Sequence, residues 1–222
     1  MKLLGALASP FVARVLMFAR IKGIDLPWEP APGGLRSDEY RAITPISRIP
    51  ALLVDDQCIA ESEVICEFLE DRHPEPSGLP ADPMGRATSR LISRITDFYV
   101  APNTGPLFRQ LNPAERDQEA VAATAADLAN AFGYVEHFMG EGPFCAGAEP
   151  SLGDCALTPV VIFMQKALFP AFPSIVDPTQ SDGRLSDWWQ AVQHHEACKA
   201  TIDEFSAAVD ALLIAISKGK HS

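Results

Sequence analysis

The chain has 222 residues, of which 47% are apolar and 21% charged, with a formal net charge of −11. That length allows one large domain or two small ones, and a sizeable core in either case. The acidic balance argues against nucleic acid and anionic membrane surfaces as partners, because both are polyanions, so any bound anion needs a local positive site.

In chain order, the N-terminus carries no signal pattern, since Ser9-Pro10 and Arg14 break the apolar opening too early. Lys2–Ala8 fits a short buried strand. Ser9 followed by Pro10 is a helix start, and Phe11, Val12, Val15, Leu16 and Ala19 recur at helical spacing up to a stop near Gly23. Leu26–Ala31 reads as an edge strand interrupted by Pro27 and Pro30, and 37–42 as a short helical segment. Ala51–Val54 and Gln57–Ala60 form a hairpin across Asp55-Asp56, and a helix then runs from Glu61 to before His73-Pro74. The Pro-rich stretch that follows divides the chain. Beyond it the periodicity is helical only, with helices expected over Met84–Val100, Pro113–Met139 (bent near Gly133), Ser151–Phe169 (interrupted by Pro159), Leu185–His195 and Ala197–Ser217. The longest apolar run, Thr158–Met164, is far short of the roughly 20 residues that span a bilayer. The expected architecture is a small α/β domain over residues 1–76, a linker over 77–84, and an all-helical domain over 85–222. Five cysteines without a CxxC or a His/Cys cluster read as reduced, mostly buried thiols of a cytoplasmic protein, with no metal site.

Few residues stand out chemically. Ser9 sits between a strand and a helix. It is either a plain N-cap or a hydroxyl that, beside free N–H groups and a positive helix end, holds an anion such as a thiolate. Pro50 opens the third strand; if the Ile49-Pro50 bond is cis, the turn aims the backbone of Ile49 outward, where an extended peptide could pair with it. Glu61-Ser62 lies at the next helix start. Ser62 is a cap or a carboxylate binder, and Glu61 could take an ammonium, so that the pair would read a free amino-acid head group. Ser151-x-x-Asp154 has capping-box spacing. Arg14 is expected in an internal ion pair. Trp188-Trp189 reads as a core residue beside a partly exposed one. His194 and His195, adjacent on a helix, do not converge on a metal.

Three segments, Ser9–Val15 (SPFVARV), Thr44–Leu52 (TPISRIPAL) and Ile59–Ser62 (IAES), resemble the glutathione-binding motifs of the cytosolic glutathione S-transferases of the serine type. The Pro150–Asp154 segment (PSLGD) extends the resemblance into the helical half. The resemblance implies a thioredoxin-like N-terminal domain, an all-helical C-terminal domain and a two-fold dimer. It also implies roles: Ser9 holds the glutathione thiolate; Ile49 pairs with the cysteinyl unit beside a cis Pro50; Glu61 and Ser62 bind the γ-glutamyl head; and Ser47 or Arg48 meets the glycine carboxylate. The second substrate, a small hydrophobic electrophile, is expected between the domains, against Ala8, Phe11, Tyr99, Asn103 and Phe108. The activity implied is conjugation of glutathione. The alternatives are a glutathione-dependent isomerase, lyase or dehalogenase, or a non-catalytic ligand carrier.

Overall fold

The computed structural model describes residues 1–219. Its first half is a four-stranded sheet with strand order β2-β1-β3-β4. Strand β1 (Lys2–Leu4) runs parallel to β2 (Trp28–Glu29) and antiparallel to β3 (Ala51–Val54), which forms a hairpin with β4 (Gln57–Ala60). The first strand is shorter than the apolar run suggests. The chain turns away at Gly5, where a Cβ would stand 2.5 Å from a methyl of Val12. The second strand keeps two residues because Pro27 and Pro30 bracket it and neither can donate to the ladder.

Helices α1 (Pro10–Ile21) and α3 (Ser62–Arg72) pack against each other over the sheet, through Leu3, Val12, Val15, Leu16, Leu52, Ile65 and Leu69. The short α2 (Asp38–Ile43) contributes Tyr40, fully buried against Leu4 and Ala51. The connection from α3 to the helical half is held at its root by a buried ion pair. Lys22 Nζ lies 2.6 Å from Glu70 Oε2 and 2.7 Å from the carbonyl of Pro76. The same carboxylate accepts from Ser77 Oγ and the amide of Gly78. Burial would raise the Glu70 carboxyl, but these three donors outweigh it and hold the group below its ordinary value.

The helical half comprises α4 (Pro83–Ile95), α5 (Thr104–Arg109), α6 (Gln118–Phe138), α7 (Leu152–Phe163), α8 (Arg184–His194) and α9 (Glu196–Gly219). Helix α4 passes at Thr96–Val100 into a wider, π-type turn and then a tight 3₁₀ turn. The short α5, whose Gly105 and Pro106 hide its helical character, is absent from the sequence reading. Helix α6 runs unbroken through Gly133 from an Asp117 cap, the segment 113–115 being a separate 3₁₀ turn.

At the centre lies α7. It continues past Pro159 through a second π-type turn. The whole stretch Leu152–Ala171 has the length and composition of a membrane span, longer than the apolar run counted in the sequence, but 78% of its apolar window is buried inside the protein. The start of α7 forms the capping box that its spacing predicts. Asp154 accepts from the amides of Ser151 (2.8 Å) and Cys145 (2.9 Å) and from Trp188 Nε1 (2.9 Å), tying three segments to one carboxylate. Trp189, expected partly exposed, is 6% exposed, because α8 buries both indoles. The two halves join where α1 packs on α7 and α9. All five cysteines are unpaired; Cys58 alone is exposed.

Candidate active site

The N-terminus of α1 shows what Ser9 is free to do. Its backbone is extended (φ −90°, ψ 123°), and its carbonyl accepts from the amides of Val12 (3.1 Å) and Ala13 (3.0 Å). Its hydroxyl makes no capping hydrogen bond. The side chain is therefore uncommitted and lines a cleft of about 880 Å³.

Opposite stands the loop that enters β3. Tyr40 donates its hydroxyl to the carbonyl of Arg48 at 2.7 Å. Burial, and secondarily the neighbouring Cys58, push the Tyr40 phenol up to about 12, so it remains a donor across the working range. This anchors the strand entry, where the Ile49–Pro50 peptide is cis. Ser47 is held at φ 52°, a left-handed conformation uncommon for a residue with a side chain. Its hydroxyl oxygen is buried without a hydrogen-bond partner. Arg48 is exposed, with no ion-pair partner among the described residues.

A third wall is the start of α3. Glu61 precedes it at φ 68°, ψ 119°, and makes no side-chain cap. Ser62, 5% exposed, is the first helical residue. The unpaired amides of this first turn and the positive helix end suit an anionic group there.

The floor is a charge network that joins the domains. Arg14, 1% exposed, donates to both oxygens of Asp97, Nη1 to Oδ2 at 3.0 Å and Nη2 to Oδ1. Arg94 reaches Asp97 at 3.3 Å and Glu63 at 3.1 Å, and its guanidinium lies over the Phe98 ring, 4.2 Å from the centroid. Burial works against the Arg14 charge, yet Asp97 more than compensates and the group is held above its ordinary value. The ion pair expected of Arg14 is thus present, to a partner 83 residues away.

Ser9, Phe11, Ser47, Arg48, Ile49, Pro50, Glu61 and Ser62 all line this one cleft. A smaller cavity of about 370 Å³ adjoins it, sharing Pro10, Phe11 and Asp97 and completed by Ala101, Pro102, Thr104, Val160 and Phe163. Of the candidates for a second-substrate wall, only Phe11 lines either cavity. Ala8 does not. Tyr99 is 53% exposed and packs edge-on to Tyr134. Asn103 donates to the Tyr99 carbonyl, and Phe108 backs Phe163 from behind at 5.9 Å between ring centroids. The sequence reading missed Asp97, Ala101 and Thr104. An acid three residues after Arg94, on an amphipathic helix, was the available signal for Asp97.

Residues 3–77 match the family model for the N-terminal domain of glutathione S-transferase, and residues 118–191 the model for its C-terminal domain. Maleylacetoacetate isomerase of Pseudomonas aeruginosa is 30% identical over 167 residues, covering 72% of this chain and 79% of its own. A probable glutathione S-transferase of Glycine max is 28% identical over 156 residues, covering 70% and 67%. Among solved structures, a holo maleyl pyruvate isomerase, described as a bacterial zeta-class glutathione S-transferase, superposes with a TM-score of 0.72 at 24% identity, covering 90% and 96%. A theta-class enzyme of Xanthomonas axonopodis pv. citri with glutathione bound gives 0.75 at 21%, with the same coverage. Fold and cleft together define a thioredoxin-like domain joined to a helical one, with a ligand cleft at the junction. The chain belongs to the glutathione S-transferase family, a family of enzymes that use glutathione.

Proposed function

We propose that this protein is a glutathione transferase whose thiolate stabiliser is Ser9. The observation that carries this reading is the uncommitted Ser9 hydroxyl at the mouth of α1, in the same cleft as Ser47, Arg48, Ile49, Glu61 and Ser62. The tripeptide lies extended across the cleft. Its γ-glutamyl carboxylate meets Ser62 and the start of α3, and its ammonium meets Glu61. Its cysteinyl unit pairs with the backbone of Ile49. Its glycine carboxylate meets Arg48 and the unpartnered Ser47 hydroxyl. The hydroxyl of Ser9 donates to the sulfur, favouring the anion over a thiol whose free pKa is about 8.5. The thiolate then attacks a small hydrophobic electrophile; a carbon–sulfur bond forms, and the leaving group departs with its electron pair. Catalysis comes from the larger thiolate fraction and from placing sulfur beside the electrophile.

A second reading, a glutathione-dependent isomerase, is favoured by the 30% identity to maleylacetoacetate isomerase. It uses the same glutathione thiolate, held by Ser9, but returns glutathione unchanged. A cytoplasmic location, a detoxifying role and the two-fold dimer that the resemblance implies belong to the transferase reading, and sedimentation equilibrium checks the oligomeric part. Calorimetric titration with glutathione tests the cleft, and a thiol mass balance during turnover separates the chemistries. Glutathione loss equal to product formed supports conjugation, and constant glutathione supports isomerisation. No binding at millimolar glutathione would sink both and leave a non-catalytic carrier.

A further inference from the structure

We infer that the helical half carries a second small-molecule site, built for a hydrophobic ammonium cation and separate from the glutathione cleft. It is a cavity of about 360 Å³ between one face of α6 and the irregular segment 174–182 that precedes α8. That size is at the lower end of small-molecule sites. The cavity shares no residue with the cleft at Ser9 or with the smaller cavity beside it, so nothing in it depends on where the sulfur lies. Its floor is apolar, made by the buried Leu128, Phe132 and Ile175. Along α6, Ala125, Ala129 and Gly133 recur every four residues and leave the groove open. Gly133 is the telling position. Glycine inside a helix is less stable than alanine, yet a Cβ there would meet nothing within 4 Å. Packing does not require glycine at 133, whereas any larger side chain would enter the groove.

The rim is polar, and its charge has one sign. Glu136 Oε1 accepts from the Leu185 amide at 3.4 Å and would stand 3.4 Å from a Cβ at Gly183. Asp182, the residue before Gly183, therefore brings a second carboxylate to the same end of the cavity. Among the described residues, Asp182 has no hydrogen-bond or ion-pair partner, and neither do the Ser174 and Ser181 hydroxyls. No lysine, arginine or histidine lines the cavity. Arg184, close in sequence, commits its guanidinium to the carbonyls of Gly140 and Phe144. Glu136 also lies in the last turn of α6, where the helix dipole favours a positive charge. An alkylammonium group, charged at neutral pH as lysine is, meets two carboxylates, a negative helix end and two hydroxyl acceptors with no competing cation. Its hydrocarbon part covers Leu128, Phe132 and Ile175 and gains by leaving water. A neutral analogue keeps only the second gain. An anionic one is repelled by Glu136 and Asp182.

The test is an NMR titration at neutral pH with three probes of one hydrocarbon, 4-phenylbutylamine, 4-phenylbutanol and 4-phenylbutyrate. Excess glutathione is present throughout, and the amides of Gly133 and Asp182 are the reporters. The amine is expected to bind about five-fold or more tightly than the alcohol, and the acid most weakly. Asp182→Asn should cut that preference by about half or more. Gly133→Leu fills the groove and should weaken the amine by about ten-fold or more, with circular dichroism confirming the fold. Ala129→Leu fills it from the neighbouring turn, should the first variant fail to fold. Amine and alcohol affinities within about two-fold in the unsubstituted protein overturn the inference. So do a preference unchanged by Asp182→Asn, an unchanged amine affinity in a folded groove-filling variant, shifts that spare Gly133 and Asp182, or no binding of the amine at millimolar concentration. None of these outcomes bears on the transferase reading, which the thiol mass balance decides by itself.

Discussion

Ser9→Ala removes one hydroxyl from the mouth of α1, and its two expected effects are far apart. An N-cap serine ordinarily contributes about 1 kcal/mol to stability through its side-chain oxygen. Here that oxygen caps nothing, and the first turn closes on the Ser9 carbonyl, which alanine retains. The substitution should therefore change the unfolding free energy by less than about 0.5 kcal/mol. Its effect on chemistry should be large. A hydrogen bond to a charged group is worth about 1.5–3 kcal/mol, and one pKa unit is about 1.4 kcal/mol. Losing it should raise the bound thiol by about 1–2 units, towards the free value of about 8.5. At neutral pH the thiolate fraction, and with it kcat/KM, then falls by about ten-fold or more. The assay is the pH profile of kcat/KM with a neutral aryl halide, beside a thermal melt of the same variant. A profile midpoint that does not move refutes the role assigned to Ser9. A melting temperature lower by about 2–4 °C would show instead that the hydroxyl caps the helix.

Ser62→Ala should weaken glutathione binding by about ten-fold or more in calorimetry while kcat with saturating glutathione changes little, because Ser62 meets the γ-glutamyl carboxylate, away from the sulfur. Asp154→Ala leaves the amides of Ser151 and Cys145 and Trp188 Nε1 buried without an acceptor; denaturant unfolding should show a loss of about 3–5 kcal/mol, and a loss under about 1 kcal/mol would contradict that account. Lys22→Met breaks the buried pair with Glu70 and should cost about 3–5 kcal/mol at neutral pH. It should also flatten a pH dependence. In the native protein Glu70 is held below its unfolded value, so its contribution is complete above the unfolded pKa and is lost as pH falls through the folded one. Without Lys22, burial is opposed only by Ser77 and the Gly78 amide, with Arg86 4.0 Å away, so the carboxyl is held down less and the stability lost as pH falls is smaller. Urea titrations of both proteins between pH 4 and 8 read this directly, and parallel curves would contradict it.

What the sequence made legible was whatever local punctuation controls. Ser9-Pro10 marked the start of α1, Asp55-Asp56 the hairpin, and Ser151-x-x-Asp154 the capping box, because each is decided within a few residues. What stayed hidden depends on offsets and distant partners. The wide turn at Thr96–Val100 departs from the 3.6-residue period, leaving Phe98 and Tyr99 exposed and bringing Asp97, Ala101 and Thr104 to the cavity. The sequence reading placed Tyr99 and Asn103 beside the second substrate instead. Arg14 announced an ion pair but not Asp97 as its partner, since the pair closes only when α1 packs into the helical half. The left-handed backbones of Ser47 and Glu61 left no trace either, since neither is glycine or asparagine, the residues that usually mark such a conformation. The unpartnered Ser47 hydroxyl is a fact of three-dimensional placement alone.

The account turns on where glutathione lies, and a crystal structure with the tripeptide bound tests that most directly. The sulfur should stand within hydrogen-bonding distance of Ser9 Oγ, about 3.2–3.5 Å. The γ-glutamyl carboxylate should lie on Ser62 at the start of α3, and the glycine carboxylate on Ser47 and Arg48. A sulfur directed away from Ser9, or a tripeptide lying in the reverse direction across Ile49, would contradict it.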